Sequence, residues 1–315
     1  MLAPFAALLP RTSGIPYARL ERAAKILRLD PASYQSAEGV EYRLAEPSLY
    51  LWEIVFDGGH RVEGLVGLYP LDRLVPHESI TPQGAFRSRH RVQIRPVMAL
   101  TEEGLPSVED VGPATIFEGD HRHTVTPVAV DDFEPPSAVI ADGHHRVAVA
   151  LREGGDPMIM TMLVSGDGTP LNAGAFHRVF ERASSLPAAL EGCEVVSERP
   201  EAALAAGRIG VVSGQGSIGI DPTAAAGKLP DLMLGLPAGL AARLVLPALG
   251  LAEHDARYMG DLTAALEASK TGTAVVLPPS QISAVISAAR TGVSLPPKAT
   301  RFRPKPIRGF LMRPH

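Results

Sequence analysis

The chain has a single cysteine, Cys193, among its 315 residues. One thiol can form neither an intrachain disulfide nor a cysteine cage for zinc, so neither device holds this fold together. A lone cysteine is typical of proteins from a reducing compartment, and we expect a cytoplasmic location.

Long apolar runs are also missing. No uninterrupted stretch reaches the roughly 18 residues that a membrane helix needs. The nearest candidate, Leu232 to Leu251, is broken by Pro237, Arg243 and Pro247 and predicts a buried helical segment instead. The apolar start, Met1 to Pro10, is short for a signal core and has no basic side chain before it. We therefore expect no secretion signal and no membrane partner.

The chain has no excess of positive charge. The chain contains 30 Lys and Arg residues and 34 Asp and Glu residues, which gives a net charge of −4. No basic field covers the whole protein, and we expect no nucleic-acid partner. A hydrophobic content of 45% with 20% charged residues is typical of a globular protein, and the length suits two or three domains.

The order of predicted elements indicates a mixed α+β protein in three regions. Residues 1–75 form an N-terminal region with a short helix around Arg19 to Leu29 and a β-hairpin. Residues 76–185 form a compact core, and residues 186–315 form a C-terminal α/β domain. In the core, strands are predicted near Val92–Leu100, Thr124–Val130, Ser137–Ala141 and Met158–Val164. In the C-terminal domain, the clearest strands are Gly210–Ser213 and Ala274–Leu277, and the clearest helices are Leu262–Ser269 and Gln281–Ala289.

The most informative motif is Asp142-Gly143-His144-His145-Arg146, which directly follows a predicted buried strand. If a helix begins after the glycine, its unpaired N–H groups and positive dipole end attract an anion, and Arg146 adds a bidentate grip. The composition therefore points to phosphate binding.

The local sequence leaves a second interpretation open, because Asp-Gly between two apolar runs is also a strong hairpin signal. The chain repeats nearly the same letters in Asp57-Gly58-Gly59-His60-Arg61. There both flanks are rich in Val, Leu and aromatic residues, which predicts a hairpin tip with His60 and Arg61 exposed to solvent.

Several other polar groups are candidates for chemistry. Glu78 follows His77 in a proline-pinned loop, where it is either a solvated acid or a general base. His121 and His123 alternate around Arg122 and could supply two ligands of a metal site. A metal-dependent enzyme that uses these two histidines together with His145 is a third possibility.

Further basic groups can either contact an anion or face water. Five of them follow the Glu78 loop: Arg87, Arg89, His90, Arg91 and Arg95. His177-Arg178 lies in an apolar segment, where a core histidine is the ordinary alternative. The proline-rich tail from Pro296 to Arg308 carries further cations and is either a solvated extension or an anion-contacting arm.

The motifs together resemble an uncharacterised bacterial family whose signature is Ala-Asp-Gly-His-His-Arg. The matching segments, in chain order, are Ala3-Pro4-Phe5, Ile15-Pro16-Tyr17, Glu41-Tyr42-Arg43, His77-Glu78, Ala141–Arg146, His177-Arg178 and Leu295–Gly309. That family is similar to the ParB and sulfiredoxin superfamily and, within it, to the free serine kinases. After the motif arginine, Val147-Ala148-Val149 replaces the family's usual aromatic and acidic residues.

The resemblance implies a ParB/sulfiredoxin-like core in which the motif turn begins a helix and cradles nucleotide phosphates. It implies that Glu78 acts as the base toward a hydroxyl group and that Asp142 orients the turn or a Mg²⁺ ion. Asp142 and His145 are the other candidate catalytic residues. The candidate nucleotide-binding residues are His77, Gly143, His144, His145, Arg146, His177 and Arg178.

These expectations define two functional hypotheses. The first is a phosphotransferase that moves a phosphoryl group from ATP or ADP, with Mg²⁺, to a small hydroxyl compound such as serine. The second is a non-catalytic, nucleotide-binding switch module of the ParB-like type. No resident metal is expected in either case, and an oligomer is compatible with both.

Overall fold

The computed structural model describes residues 2–27, 36–78, 92–131, 133–134, 137–222, 233 and 235–314. It confirms a mixed α+β protein. The chain divides into two compact units. The described residues of 2–76, 92–171 and 304–314 form the first unit, and those of 77–78 and 172–303 form the second.

Strands are the main elements of both units. In chain order, the strands up to residue 165 are β1 (Leu8–Pro10), β2 (Ser36–Ala37), β3 (Val40–Leu44), β4 (Leu49–Phe56), β5 (His60–Pro70), β6 (Leu74–Val75), β7 (Val92–Gln93), β8 (Val97–Thr101), β9 (Val108–Asp110), β10 (Thr115–Glu118), β11 (Arg122–Val130), β12 (Ala138–Asp142) and β13 (Met158–Ser165). The later strands are β14 (Asn172–Gly174), β15 (His177–Phe180), β16 (Glu194–Ser197), β17 (Ile209–Ser213), β18 (Gly216–Asp221), β19 (Arg257–Met259), β20 (Thr273–Val276), β21 (Arg301–Arg303) and β22 (Arg313–Pro314). The α-helices are α1 (Tyr17–Leu27), α2 (His144–Glu153), α3 (Pro200–Ala205), α4 (Pro237–Leu240), α5 (Leu246–Ala248), α6 (Leu262–Ala268) and α7 (Ile282–Arg290).

The first unit is built on a nine-stranded sheet with the order β10-β11-β4-β5-β13-β8-β12-β6, in which β9 also pairs with β11. Most neighbours are antiparallel, but β13 and β8 are parallel, as are β12 and β6. Leu65, Val97, Ile140 and Leu163 form part of its buried core, and Val147 packs α2 against them. The motif turn therefore begins at the end of a strand that has neighbours on both sides.

The predicted hairpin at Asp57-Gly58-Gly59 is confirmed. Strands β4 and β5 pair in antiparallel register up to Phe56 opposite His60. Gly58 and Gly59 adopt φ values of 73° and 89°, which glycine reaches without steric cost. Arg61 is exposed as predicted, but it also forms ion pairs with Glu53 and Glu63.

The second unit holds a six-stranded sheet with the order β16-β18-β17-β20-β15-β19. Its predicted strands at Gly210–Ser213 and Ala274–Leu277 correspond to β17 and β20, and its predicted helices correspond to α6 and α7. The segment expected to be a buried helix contains α4, a π-helical turn at Ala241–Val245 and α5. Leu232 itself lies outside the described residues.

Other predicted elements in the first unit are recovered with shifted ends, and one is wrong. The helix predicted around Arg19 is α1, although Leu29 lies outside the described residues. The single strand predicted over Val92–Leu100 is two strands, β7 and β8. Pro96 lies between them and has no N–H to donate to a ladder, which accounts for the break.

The C-terminal segment, residues 304–314, returns to the first unit. Phe310, Leu311 and Met312 are buried there, and Met312 exchanges backbone hydrogen bonds with Leu8. In the tail from Pro296 to Arg308, Ala299 and Phe302 are buried, and Lys305 and Arg308 pair with Asp142 and Glu21, so the interpretation of this tail as a solvated extension is wrong. The three-region division of the chain remains a prediction about domains, and strands from before and after residue 76 share the large sheet.

In the part of the chain that is described, no helix combines the length and apolar character needed to cross a bilayer.

Candidate functional site

The motif turn joins a strand to a helix. Strand β12 pairs with β8 and β6, and α2 begins at His144 directly after Gly143. The hairpin interpretation of this turn is therefore wrong. The Gly143 carbonyl accepts hydrogen bonds from the backbone N–H groups of Arg146 and Val147, which closes the first helical turn.

Gly143 is required by both its backbone and its surroundings. Its φ of 110° lies in a region that other residues rarely adopt. A Cβ atom at this position would come within 2.8 Å of Nη2 of Arg146. The glycine thus lets the guanidinium lie directly against the turn at the helix N-terminus.

Asp142 gathers three cations at this point. Its Oδ2 accepts hydrogen bonds from Nη2 of Arg95 at 2.7 Å and from Nη2 of Arg146 at 2.9 Å. Its Oδ1 accepts a hydrogen bond from the ammonium group of Lys305. Nη1 of Arg146 donates to the backbone carbonyl of Arg95 at 2.6 Å. We call Asp142, Arg95, Arg146 and Lys305 the Asp142 cluster.

The charges of the Asp142 cluster do not balance. Burial raises the pKa of Asp142, but Arg95, Lys305 and Arg146 outweigh this effect and hold the pKa well below its usual range. Burial and the nearby Arg95 lower the pKa of Arg146 to about 10, so it remains charged at neutral pH. Within the cluster, three cations share one carboxylate, so positive charge predominates beside the N-terminus of α2. This is an arrangement that attracts a phosphate group.

The two motif histidines differ in exposure. His145 is exposed, and His144 is half-buried in the first turn of α2. An exposed imidazole at this end of the helix is accessible to a ligand.

His77 and Glu78 belong to the second unit and contact its segment 298–300. Glu78 Oε1 accepts hydrogen bonds from the N–H of Thr300 at 3.1 Å and from its hydroxyl at 3.2 Å. Glu78 Oε2 accepts one from the N–H of Lys298 at 3.2 Å. Nε2 of the buried His77 lies 2.9 Å from the Thr300 hydroxyl. The Glu78 carboxylate is therefore fixed in place rather than free in a solvated loop.

Lys298 adds strain to this arrangement. It is one of the non-glycine residues with positive φ, at 57°. Such a conformation costs about 1–3 kcal/mol and persists when its surroundings determine it. In this turn the N–H of Lys298 is the group that donates to Glu78.

His177 and Arg178 are buried in the second unit. Nδ1 of His177 accepts a hydrogen bond from the N–H of Leu277, and burial together with Arg178 lowers the pKa of His177 to about 4. Arg178 forms an ion pair with Glu253 at 3.1 Å and also donates to the carbonyl of Pro297. Both contacts are those of residues that stabilise the core. Their assignment to nucleotide binding remains a prediction.

His121 and His123 lie close together in the first unit, with ring centres 6.5 Å apart. Nδ1 of His123 accepts a hydrogen bond from the indole N–H of Trp52, so this nitrogen is already engaged. Among the described residues, no group of three or more His, Cys, Asp or Glu side chains is placed to hold a metal ion.

The site residues predicted from the sequence do not include Arg95, Lys305 or Thr300. The sequence signal for Lys305 and Thr300 is Leu295–Gly309, the last segment that matches the family, which contains both residues. Arg95 belongs to the basic run that follows Glu78. The other members of that run, Arg87, Arg89, His90 and Arg91, lie outside the described residues.

The similarities of this chain to known proteins are structural and distant. No protein-family model matches the chain, and no curated protein does. A free serine kinase in complex with AMP is 16% identical, with 77% of this chain and 90% of that chain covered and a TM-score of 0.41. A conserved hypothetical protein from Pyrococcus furiosus is 16% identical, with 77% and 94% covered and a TM-score of 0.41. SbnI with a C-terminal truncation, from Staphylococcus aureus, is 12% identical, with 76% and 82% covered and a TM-score of 0.44.

Proposed function

We propose that this chain is a nucleotide-dependent phosphotransferase that acts on a small hydroxyl compound, with ATP or ADP as donor and serine as the first candidate acceptor. The observation that carries the proposal is the surplus positive charge of the Asp142 cluster at the N-terminus of α2. Phosphoryl transfer depends mainly on positioning and on neutralising the charge of the phosphates, and this cluster can supply both.

Each member of the site has a proposed role. The backbone N–H groups that open α2, the exposed His145 and the guanidinium of Arg146 bind phosphate oxygens. Asp142 is a positioning residue, because its two oxygens hold the three cations in place. Since both oxygens are engaged, the Asp142 carboxylate does not fit the role of a Mg²⁺ ligand in this arrangement.

Glu78 is the proposed base, and the motif resemblance supports this role. Its carboxylate would take the proton of the acceptor hydroxyl as the oxygen forms a bond to the terminal phosphorus of the donor. The bond from that phosphorus to the bridging oxygen breaks, and the nucleotide leaves with one phosphoryl group fewer. Thr300 and Lys298 keep the carboxylate in one orientation during this step.

Incubation of the full chain with ATP or ADP, Mg²⁺ and a panel of hydroxy amino acids, followed by phosphorus NMR, tests the proposal. A new phosphomonoester signal is expected in at least one mixture. Glu78→Gln should abolish the signal while nucleotide affinity persists, and Arg146→Gln should weaken nucleotide binding. Arg61→Gln is a suitable control, because Arg61 forms exposed ion pairs with Glu53 and Glu63 on the β4–β5 hairpin, which β13 and β8 separate from β12 in the sheet. Absence of product in every mixture would count against catalysis.

The nucleotide-binding switch remains the second candidate, and one observation favours it. The hydrogen bonds from Thr300 and Lys298 to Glu78 are also those expected of a carboxylate that only stabilises its unit. In that case the chain binds nucleotide without turnover, and Glu78→Gln changes the thermal stability but neither the affinity nor any reaction.

A further inference from the structure

A fourth cation, Arg308, lies near the Asp142 cluster in the first unit. Its Nη1 donates to Oε1 of Glu21 on α1 at 2.6 Å. Arg308 comes three residues after Lys305, which is a member of that cluster.

The backbone fixes Arg308 at this place. The next residue, Gly309, has a φ of 82°, and a Cβ atom there would come within 2.7 Å of the Leu20 carbonyl and 2.9 Å of Ala24 Cβ. The N–H of Gly309 donates to the carbonyl of Ile94, the residue before Arg95. The C-terminal segment is therefore held between α1 and the residue that leads into the Asp142 cluster.

Arg308 is held less firmly than the cations of the cluster. Its side chain is 42% exposed, compared with 20% for Arg95, 27% for Arg146 and 24% for Lys305. Its partner Glu21 is 24% exposed on α1, where it also forms an ion pair with Lys25. Exposed ion pairs of this kind contribute little to stability, and a phosphate group offers the guanidinium charge-assisted hydrogen bonds of the same type as those of a carboxylate. The departure of Arg308 from Glu21 therefore costs little.

We propose that Arg308 leaves Glu21 to bind the outer phosphoryl group of a nucleoside di- or triphosphate whose inner phosphate lies at the N-terminus of α2. Arg308 then determines selectivity for two or more phosphates over one. The inference rests on the proposed nucleotide site, but it concerns only the length of the phosphate chain.

Titration calorimetry of the full chain with ADP and with AMP, at one fixed salt concentration, tests this inference. Wild-type protein should bind ADP about tenfold more tightly than AMP, or better. Arg308→Gln should lower the ADP affinity about tenfold and leave the AMP affinity within about twofold. Glu21→Gln, which releases Arg308, should increase the affinity for ADP and not that for AMP.

Arg61→Gln is the matched control. Arg61 is 57% exposed and pairs with Glu53 and Glu63 on the β4–β5 hairpin, which β13 and β8 separate from β12 in the sheet. This variant should leave both affinities unchanged. Arg308→Lys keeps the positive charge but loses the planar guanidinium that can donate two parallel hydrogen bonds, so it should give an intermediate ADP affinity. Circular dichroism checks that each variant is folded.

The outcomes separate this inference from the proposed function. If wild-type protein binds ADP and AMP equally, or if Arg308→Gln weakens both by the same factor, the role of Arg308 is refuted and the nucleotide site stands. If wild-type protein binds neither nucleotide, the nucleotide site itself is refuted, and the role of Arg308 with it.

Discussion

Lys305 donates to Oδ1 of Asp142, although the two residues are 163 positions apart in the chain. The contact ties the C-terminal segment to the end of β12, where the motif turn begins. The same segment pairs Arg313 with Asp156, just beyond α2. Charged groups of this segment therefore pair with acids at both ends of the helix that carries the motif.

Asp142→Asn should destabilise the protein, because it leaves Arg95, Arg146 and Lys305 without their shared counter-ion. Asp142 is only 16% exposed, so we expect a loss of about 2–4 kcal/mol in the free energy of unfolding, measured with urea. Glu134→Gln is the comparison, since it breaks an exposed pair and should cost less than about 1 kcal/mol. Equal effects of the two substitutions would contradict a cluster held together by Asp142.

Gly143→Ala should both destabilise the protein and weaken nucleotide binding. The positive φ alone costs about 1 kcal/mol or more, and the new methyl group displaces the Arg146 guanidinium. Gly155→Ala separates the two effects, because Gly155 has a φ of 126° but open space around its missing Cβ. Thermal melts should show a loss in both variants, whereas nucleotide titration should show one only in Gly143→Ala. A weakened affinity in Gly155→Ala would mean that backbone strain alone disturbs the site.

The local structure of the motif was only half predictable from the sequence. The residues around Asp142 and Asp57 are nearly the same, yet the turn at Asp142 leads into α2 and the turn at Asp57 closes the β4–β5 hairpin. The hydrophobic residues on both sides of Asp57 correctly predict the β4–β5 hairpin. The helix was decided by pairing of β12 with β8 and β6, which are distant in sequence, so the adjoining residues did not contain that information.

The contacts of the candidate site depended still more on distant residues. Nothing in the spacing of Lys305 and Thr300 assigns them to Asp142 and Glu78, because the chain passes through the whole second unit between the motif turn and Lys305. Arg178 is likewise 0% exposed despite its charge, because Glu253 and backbone carbonyls accept its hydrogen bonds. Such compensation is visible only after the chain has folded.

Thr300→Val should reduce turnover without changing nucleotide affinity. Valine has nearly the same shape, but it removes the hydroxyl that donates to Glu78 and lies 2.9 Å from His77. A proposed base that loses one of its hydrogen bonds is less well oriented, and we expect kcat to fall about tenfold with Kd for ADP unchanged. Thr300→Ser keeps the hydroxyl and should retain most of the activity. If both variants lose stability but not kcat, Thr300 has only a structural role.

The contact between Trp52 and the buried His123 allows the effect of acid pH on the stability of the fold to be followed by tryptophan fluorescence. Trp52 is its one tryptophan, and the indole N–H donates to Nδ1 of His123 at 3.1 Å. Burial, with a smaller contribution from His121, lowers the pKa of His123 to about 3, and His177 in the second unit has a pKa of about 4. The unfolded chain binds protons at these histidines near pH 6.5, so their contribution to stability is complete above that pH and is lost as the pH falls.

The free energy of unfolding should therefore decrease by about 2 kcal/mol for each of these histidines between pH 6.5 and pH 5. Urea unfolding followed by tryptophan fluorescence at several pH values measures the slope. His123→Phe should be less stable at pH 7, because the Trp52 N–H loses its acceptor, but its stability should fall less steeply on acidification. His60→Phe is the control, because it replaces an exposed histidine instead of a buried one. A slope that is the same in wild-type and His123→Phe protein would show that His123 does not titrate with unfolding, and that other groups cause the sensitivity to acid.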